Sequence, residues 1–436
     1  MDTAQSQKRA DRATRLRALT LFGFSLGNYF LFYAINILLA RTLPIGDFDD
    51  YNVAISTVLV LSTLATLGLE KFALRCLPAW REQQDWPRSR GFQRFSLRLI
   101  LAFSLLLVAL LGSLWETTWV FRGNGNHWAI WIIVAFLPMI AMFLYLLEIA
   151  TAYHAQVRAV ALYRLVFPAI LLVLNGIVWL LPLRPTGITA ALCYAISWAT
   201  VLAGAAVLVY HLTPRELWNA RAIFERRAWL QKSLPLLVYA LLMTLLAQSG
   251  VIILELLHPN EPVVSIYAIA AQTGTFVVLA ATATNRLYLP RISVLLLRHD
   301  HPGLIRLARN RLKLFGPLVA IFLVGIVLAG YPILGLFGEA FVAGYPALCV
   351  IAVGASISTI FSATPYYLQF IDQNKLVLSW TSAAVIANIV LCFPLGYYFG
   401  ATGAACAYTF PLVLLYLGMR FHAVGLLRKQ FTGEAT

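Results

Sequence analysis

The sequence predicts an all-α integral membrane protein of about twelve transmembrane helices, in two six-helix pseudo-symmetric bundles. Three observations predict it. Residues are 61% hydrophobic and 12% charged, the charge being about half the share of an ordinary soluble domain. Apolar runs such as Ala18–Ala40, Ile321–Phe337 and Val377–Phe399 approach or exceed the roughly 18–20 residues that cross a bilayer. Finally, Gly400–Tyr408 (GATGAACAY) echoes Pro185–Tyr194 (PTGITAALCY), with Thr402–Gly403 standing 216 residues after Thr186–Gly187. Ala407 and Ala191, Tyr267 and Tyr51, Ala270 and Ala54, and Thr282 and Thr66 keep the same offset. Backbone groups in lipid must be bonded internally, and these runs are too long and too continuously apolar for barrel strands.

Residues 1–17 are polar and basic, a cytoplasmic tail. Helices expected at 18–40, 51–77, 95–115, 128–150, 161–181 and 187–210 make an N-terminal bundle over 18–211. Trp115, Trp119, Trp128 and Trp131 are placed like an aromatic belt at the outer interface. The joint, 212–232, opens with Thr213, Pro214 and Glu216, which resemble an N-cap, a first-turn proline and an N3 acid. Leu217, Ala220, Phe224 and Ala228 then recur at helical spacing, which predicts an amphipathic helix on the inner leaflet; a solvated connector is the alternative. Helices at 233–256, 264–288, 313–335, 345–369, 376–399 and 403–424 make a C-terminal bundle over 233–424, followed by a cytoplasmic tail at 425–436. Pro290 marks an exit from the membrane.

The net charge of +15 is punctuation, not a nucleic-acid surface. Basic clusters recur at Lys8–Arg17, Arg81–Arg98, Arg215–Lys232, Arg291–Lys313 and Arg420–Lys429. With the N-terminus inside, only Arg41, Arg122 and Arg184 fall outside, the positive-inside pattern that puts both termini in the cytoplasm. No cleavable signal peptide is expected, and the first apolar run stays as a helix. Cys76, Cys193, Cys349, Cys392 and Cys406 lack metal-type spacing and read as small buried hydrophobes, so no metal or cofactor is expected. Seven histidines and few acids form no catalytic constellation and no P-loop appears, so an enzyme is not expected.

Several segments resemble one family. They are 38–78 (LARTLPIGDFDDYNVAISTVLVLSTLATLGLEKFALRCLP, with its LGL ending and Arg75), NRLYLPRIS, LFGEAFVAGYPALCVIAVGASIS (336–358), LQFIDQNKLVLSW (368–380) and GATGAACAY. In order and spacing they resemble the polysaccharide flippases of the multidrug/oligosaccharidyl-lipid/polysaccharide (MOP) exporter superfamily. The resemblance implies a bacterial inner-membrane flippase that moves polyprenyl-diphosphate-linked oligosaccharide outward by alternating access, for surface polysaccharide such as lipopolysaccharide O-antigen or exopolysaccharide. Its implied partners are the lipid-linked oligosaccharide, membrane lipids, and the polymerase and glycosyltransferases of the same pathway. Lipid II flippases of the superfamily carry charges in helix one, where this chain has only Asn28 and Asn36. The alternative is a MATE-like, cation-coupled drug or metabolite antiporter. Helix one has no acid, which leaves Glu148 as the candidate for cation coupling.

A diphosphate head cannot cross hydrocarbon without a polar route, and two like-oriented repeats put that route at their interface, near the midplane. Arginine grips phosphate with its fork, and lysine serves as a point charge. The cationic candidates are Lys71, Arg75 and Arg286. Arg286 stands 216 residues after Glu70, so their two helices are expected to face each other across the pseudo-axis. Snorkelling side chains that fix topology are the blander reading. Asn28, Asn36, Gln248, Gln272, Thr282 and Asn285 are expected along a polar seam, although each singly reads as a helix–helix hydrogen bond. Tyr29, Tyr33, Tyr267, Tyr366 and Tyr367 are candidates to stack on sugars, and Glu148 is expected to pair with Arg158 or Arg164 as a gate or a static bridge. Moving about two negative charges outward across ~100 mV, inside negative, releases roughly 4–5 kcal/mol.

Overall fold

A computed structural model describes the backbone of residues 2–114, 128–181, 184–259, 262–298 and 300–432. Side chains are described for the same residues except 2–18, 114, 283, 286, 287, 290, 297, 301 and 427–432. Among the described residues the chain is helical almost throughout and contains no strand. Eight helices are long and apolar enough to cross a membrane, and two bent pairs each count as one further span. The last helix breaks at Gly400, and a third bent pair covers 263–297, which brings the spans to about the expected twelve. The protein is a multi-pass membrane protein. The chain divides into two compact units, Met1–Thr244 and Leu245–Thr436.

In the first unit α1 (Asp2–Thr42) begins well before the expected residue 18. Its early residues, AQSQKRADRATRLRA, are mostly strong helix formers, so the basic tail continues the span as helix. Helices α2 (Ile45–Ala65) and α3 (Leu69–Glu82) meet at a 46° bend. There Leu67 and Gly68 both take positive φ, 52° and 70°. Gly68 also lies against the backbone of the later helix α11 (Arg226–Leu257), where an added Cβ would sit 2.4 Å from the Ser233 carbonyl oxygen. Next come α4 (Trp86–Leu114), α5 (Trp128–Ala135), α6 (Leu137–Ala152), α7 (Gln156–Ala161), a π-helical turn at Leu162–Val166, α8 (Phe167–Leu180) and α9 (Gly187–Leu212). Phe143, Phe167, Tyr194 and Trp198 pack together where α6, α8 and α9 meet, with Phe167 and Trp198 ring centres 4.3 Å apart. Of the expected aromatic belt, Trp128 is exposed and Trp131 half-buried, while Trp115 and Trp119 lie outside the described residues.

Thr186 caps α9 through a capping box with Thr189, and Asp47 in the first turn of α2 accepts the Gly187 N–H at 2.6 Å. A carboxylate on an open helix N-terminus is stabilising both as a hydrogen-bond acceptor and against the macrodipole. Asp47→Ala is expected to cost about 1–2 kcal/mol and lower the thermal midpoint by a few degrees, read by detergent melting curves.

The joint departs from the expected amphipathic helix. Only α10 (Arg215–Asn219) is helical, and residues 220–225 are extended before α11 begins. The backbone there is claimed by α4: Ile223 N–H donates to the Pro87 carbonyl, Arg90 donates to the Ala220 carbonyl, and Arg88 pairs with Glu225 at 2.8 Å. Gly91 makes the crossing possible, since a Cβ at that position would lie 1.7 Å from the Ile223 oxygen. An aromatic nest fixes the start of α11, with Phe92 ring centres 5.4 Å from Trp229, 5.7 Å from Trp80 and 5.5 Å from Phe72.

The second unit contains the rest of α11, then α12 (Val263–Gly274), α13 (Val278–Leu297), α14 (His301–Gly335), a 3-10 turn at Glu339–Gly344, α15 (Tyr345–Phe361), α16 (Thr364–Phe370) and α17 (Asn374–Thr432). Ser249 donates to Asn388 at 2.5 Å, tying α11 to α17. Gly400 (φ 53°) breaks α17, and Gly403 is squeezed against the Leu395 carbonyl, 1.8 Å from an ideal Cβ. Both GATGAACAY and its earlier echo thus begin a helix after a tight turn. The 216-residue offset does not survive the bends, however. The bend after α12 opens at Thr275, 209 residues after Thr66, because α12 has 12 residues where α2 has 21. Matched at their bends, α3 and α13 do not align Arg286 with Glu70.

Candidate functional site

The charged residues of the first unit gather just past the α2–α3 bend. Glu70, in the first turn of α3, is 6% exposed, and its Oε2 has no hydrogen-bond partner among the described residues. The next side chain, Lys71, turns outward and donates from Nζ to Glu148 Oε1 at 2.6 Å. Lys71 is 48% exposed and Glu148 17%. Arg75 lies one turn further along α3 and is exposed. Charge on this helix is therefore split, with a carboxyl inside and two cations outside.

Glu148, near the end of α6, does not pair with Arg158 or Arg164 as expected. Its ion pair is with Lys71. Arg158 is exposed on α7. Arg164 lies within the π-helical turn, and its Nη1 donates to Ser25 Oγ of α1 at 2.5 Å. The extra residue per turn of a π segment re-aims the side chains it carries, and here Arg164 is aimed at α1. Ser25 shares one face of α1 with Asn28 and Asn36, both half-buried. Tyr29 and Tyr33 stack on the same helix, ring centres 5.8 Å apart.

The second unit separates its candidates. Gln248 on α11 and Gln272 on α12 are half-buried. Thr282 is exposed, and its hydroxyl donates to the Leu279 carbonyl of its own helix. The Arg286 side chain lies outside the described residues. Tyr267 is 2% exposed, Tyr366 40% and Tyr367 8%. Asn285, 9% exposed, is joined to a residue the sequence reading passed over: Ser362 bridges Asn285 Oδ1 at 3.5 Å and Arg311 Nη2 at 2.5 Å. Arg311 is 5% exposed. Its signal was there to read. Leu304, Ala308, Arg311 and Phe315 fall on one helical face, so Arg311 occupies a core position among otherwise outward cations. Among the described residues no group of three or more His, Cys, Asp or Glu could hold a metal ion.

No family model and no curated protein matches the sequence. Solved structures do match over nearly the whole chain. An inward-facing multidrug-resistance MATE transporter of the MOP superfamily has a TM-score of 0.74 at 13% identity, covering 94% of this chain and 99% of that one. The lipid II flippase MurJ, in an inward closed conformation, has a TM-score of 0.67 at 15% identity, covering 97% and 93%. A MOP superfamily transporter from Pyrococcus furiosus has a TM-score of 0.66 at 12% identity, covering 95% and 96%.

The fold is that of the MOP transporters.

Within this MOP fold the bent helices α2–α3 and α12–α13 carry most of the charged and polar candidates: Glu70, Lys71 and Arg75 in one unit, Gln272, Thr282, Asn285 and Arg286 in the other.

Proposed function

We propose that the chain is a flippase that carries polyprenyl-diphosphate-linked oligosaccharide units from the inner to the outer leaflet of the bacterial inner membrane, for surface polysaccharide assembly. The observation that supports it best is the pair Lys71 and Arg75, exposed one turn apart on a helix of a MOP fold. Such a pair suits a diphosphate: Arg75 offers a planar fork, and Lys71 a compact charge already oriented by Glu148. A fold shared with a structure described as a lipid II flippase adds support for a lipid-linked cargo. The reading includes cytoplasmic termini, alternating access, and a membrane potential that draws the anionic head outward. Partners acting before and after it would be the glycosyltransferases that build the unit and the polymerase that consumes it.

A MATE-like antiporter is the second reading, favoured by the buried Glu70 carboxyl with its unpartnered Oε2, a group that a proton or cation could address. Deletion separates the two. Under the flippase reading, lipid-linked repeat units accumulate on the cytoplasmic leaflet of the deletion strain. They clear when the wild-type gene is restored, but not with a Lys71→Glu, Arg75→Glu variant. A deletion strain changed only in drug or dye efflux would overturn the flippase in favour of the antiporter.

A further inference from the structure

The second unit encloses a cavity of about 500 Å³ between α13, α14, α15, α16 and the end of α17. It shares no residue with the Lys71–Glu148 cluster. Most of its wall is aliphatic or aromatic, yet Arg309, Arg311 and Arg420 line it together. No Asp or Glu lines it, and none of the five helices carries one.

Arg311 is the feature that needs an explanation. It is 95% buried, and its Nε and Nη1 have no hydrogen-bond partner among the described residues. Its contacts are Ser362 Oγ and the ring faces of Tyr288 and Phe315, at 5.4 and 5.0 Å from the ring centres. Ring faces and one hydroxyl offset only part of the cost of burying a guanidinium, which is normally met by a carboxylate. A second orphan lines the same space: Tyr367, 8% exposed, has a buried hydroxyl with no partner among the described residues. The cavity therefore offers unmatched positive charge and unmatched donors, and nothing negative.

We propose that this cavity is a binding site for a phosphate-bearing amphiphile, whose phosphate is held by Arg311, Arg309 and Arg420 with Tyr367 and whose tail lies along the apolar wall. Three guanidinium groups suit a group of charge near two and its several oxygens better than they suit a single carboxylate. The volume is that of an ordinary small-molecule site, far larger than a bare phosphate, and the apolar remainder calls for hydrocarbon. Membrane lipid is the supply such a wall selects, although free phosphate shares the head chemistry. The site stands whatever cargo the chain moves, so the deletion experiment can fail while this one succeeds.

The test is binding to the purified full-length protein in a non-ionic detergent, read by native mass spectrometry. The probes are short-chain phosphatidic acid, inorganic phosphate and decanoate. Phosphatidic acid should bind saturably, with Arg311→Gln at least tenfold weaker and Arg311→Lys in between. Tyr367→Phe and Arg420→Gln, which leave the buried guanidinium in place, should each weaken binding several-fold at an unchanged melting midpoint. Those two variants carry the test if Arg311→Gln does not fold. Binding of the lipid alone supports a headgroup site, and displacement of the lipid by inorganic phosphate at similar concentration supports a free-phosphate source. Binding of decanoate as tight as that of phosphatidic acid, or phosphatidic acid binding indifferent to the Tyr367 and Arg420 variants, overturns the proposal.

Discussion

Gly68→Val is expected to be among the most damaging single substitutions in the first unit. Gly68 has φ 70°, a region that costs an L-residue about 1–2 kcal/mol. Its neighbours are backbone atoms: a Cβ would lie 2.4 Å from the Ser233 oxygen and 2.7 Å from the Leu237 nitrogen. Backbone in the middle of α11 cannot swing aside as a flexible side chain would, so α3 must lift off α11. Overpacking of this kind adds roughly 1–3 kcal/mol, for a combined loss on the order of 3–5 kcal/mol. The thermal midpoint in detergent should fall by on the order of 10 °C, with Gly68→Ala milder. A Gly68→Val protein that melts like wild type would contradict the close approach described here.

Lys71→Ala should instead leave the fold nearly intact and remove transport. The Lys71–Glu148 pair is half exposed on the lysine side, and a bridge of that kind contributes about 0–1 kcal/mol to stability. A cation that meets the diphosphate in transit is worth far more to the rate. Lys71→Ala is expected to lower flipping of lipid-linked oligosaccharide in proteoliposomes at least tenfold, about 1.4 kcal/mol in the barrier. Lys71→Arg should retain much of it. Glu148→Gln separates the roles: it removes the acid that orients Lys71 while leaving the cation in place, so flipping should drop only modestly. A cation-coupled antiporter would respond the other way, losing ion dependence with Glu148→Gln or Glu70→Gln and tolerating Lys71→Ala. Unchanged flipping in Lys71→Ala would reduce the residue to an anchor of topology.

The spans and their basic punctuation were legible because crossing a bilayer is dictated by composition along a contiguous run, which needs no tertiary information. Thr186–Gly187 and Thr402–Gly403 were legible for a similar local reason: a helix start after a tight turn has its own residue chemistry. What escaped depends on distant neighbours. The helical spacing of Leu217, Ala220, Phe224 and Ala228 was present, but backbone and side-chain groups at Pro87, Arg88 and Arg90 hold residues 220–225 extended. Glu148 has two arginines close by in sequence, yet its partner lies 77 residues upstream. The repeat offset placed the starts of α2 and α12 and lost register at a bend it could not see. Asn285 was identified as a polar residue worth watching, while Arg311, to which it connects through Ser362, was absorbed into the Arg291–Lys313 cluster. Counting charges hid which face this one occupied.

The nest around Phe92 supplies an optical probe native to the chain. Trp229 is 1% exposed and wedged against Phe92 and Phe95, with Trp80 beside it. Indoles in such surroundings emit toward the blue and are sheltered from aqueous quenchers such as iodide. Because Trp229 stands four residues beyond Glu225, the last of the extended crossing, any loosening of that strap from α4 would wet the indole and announce itself as a red shift, without a label.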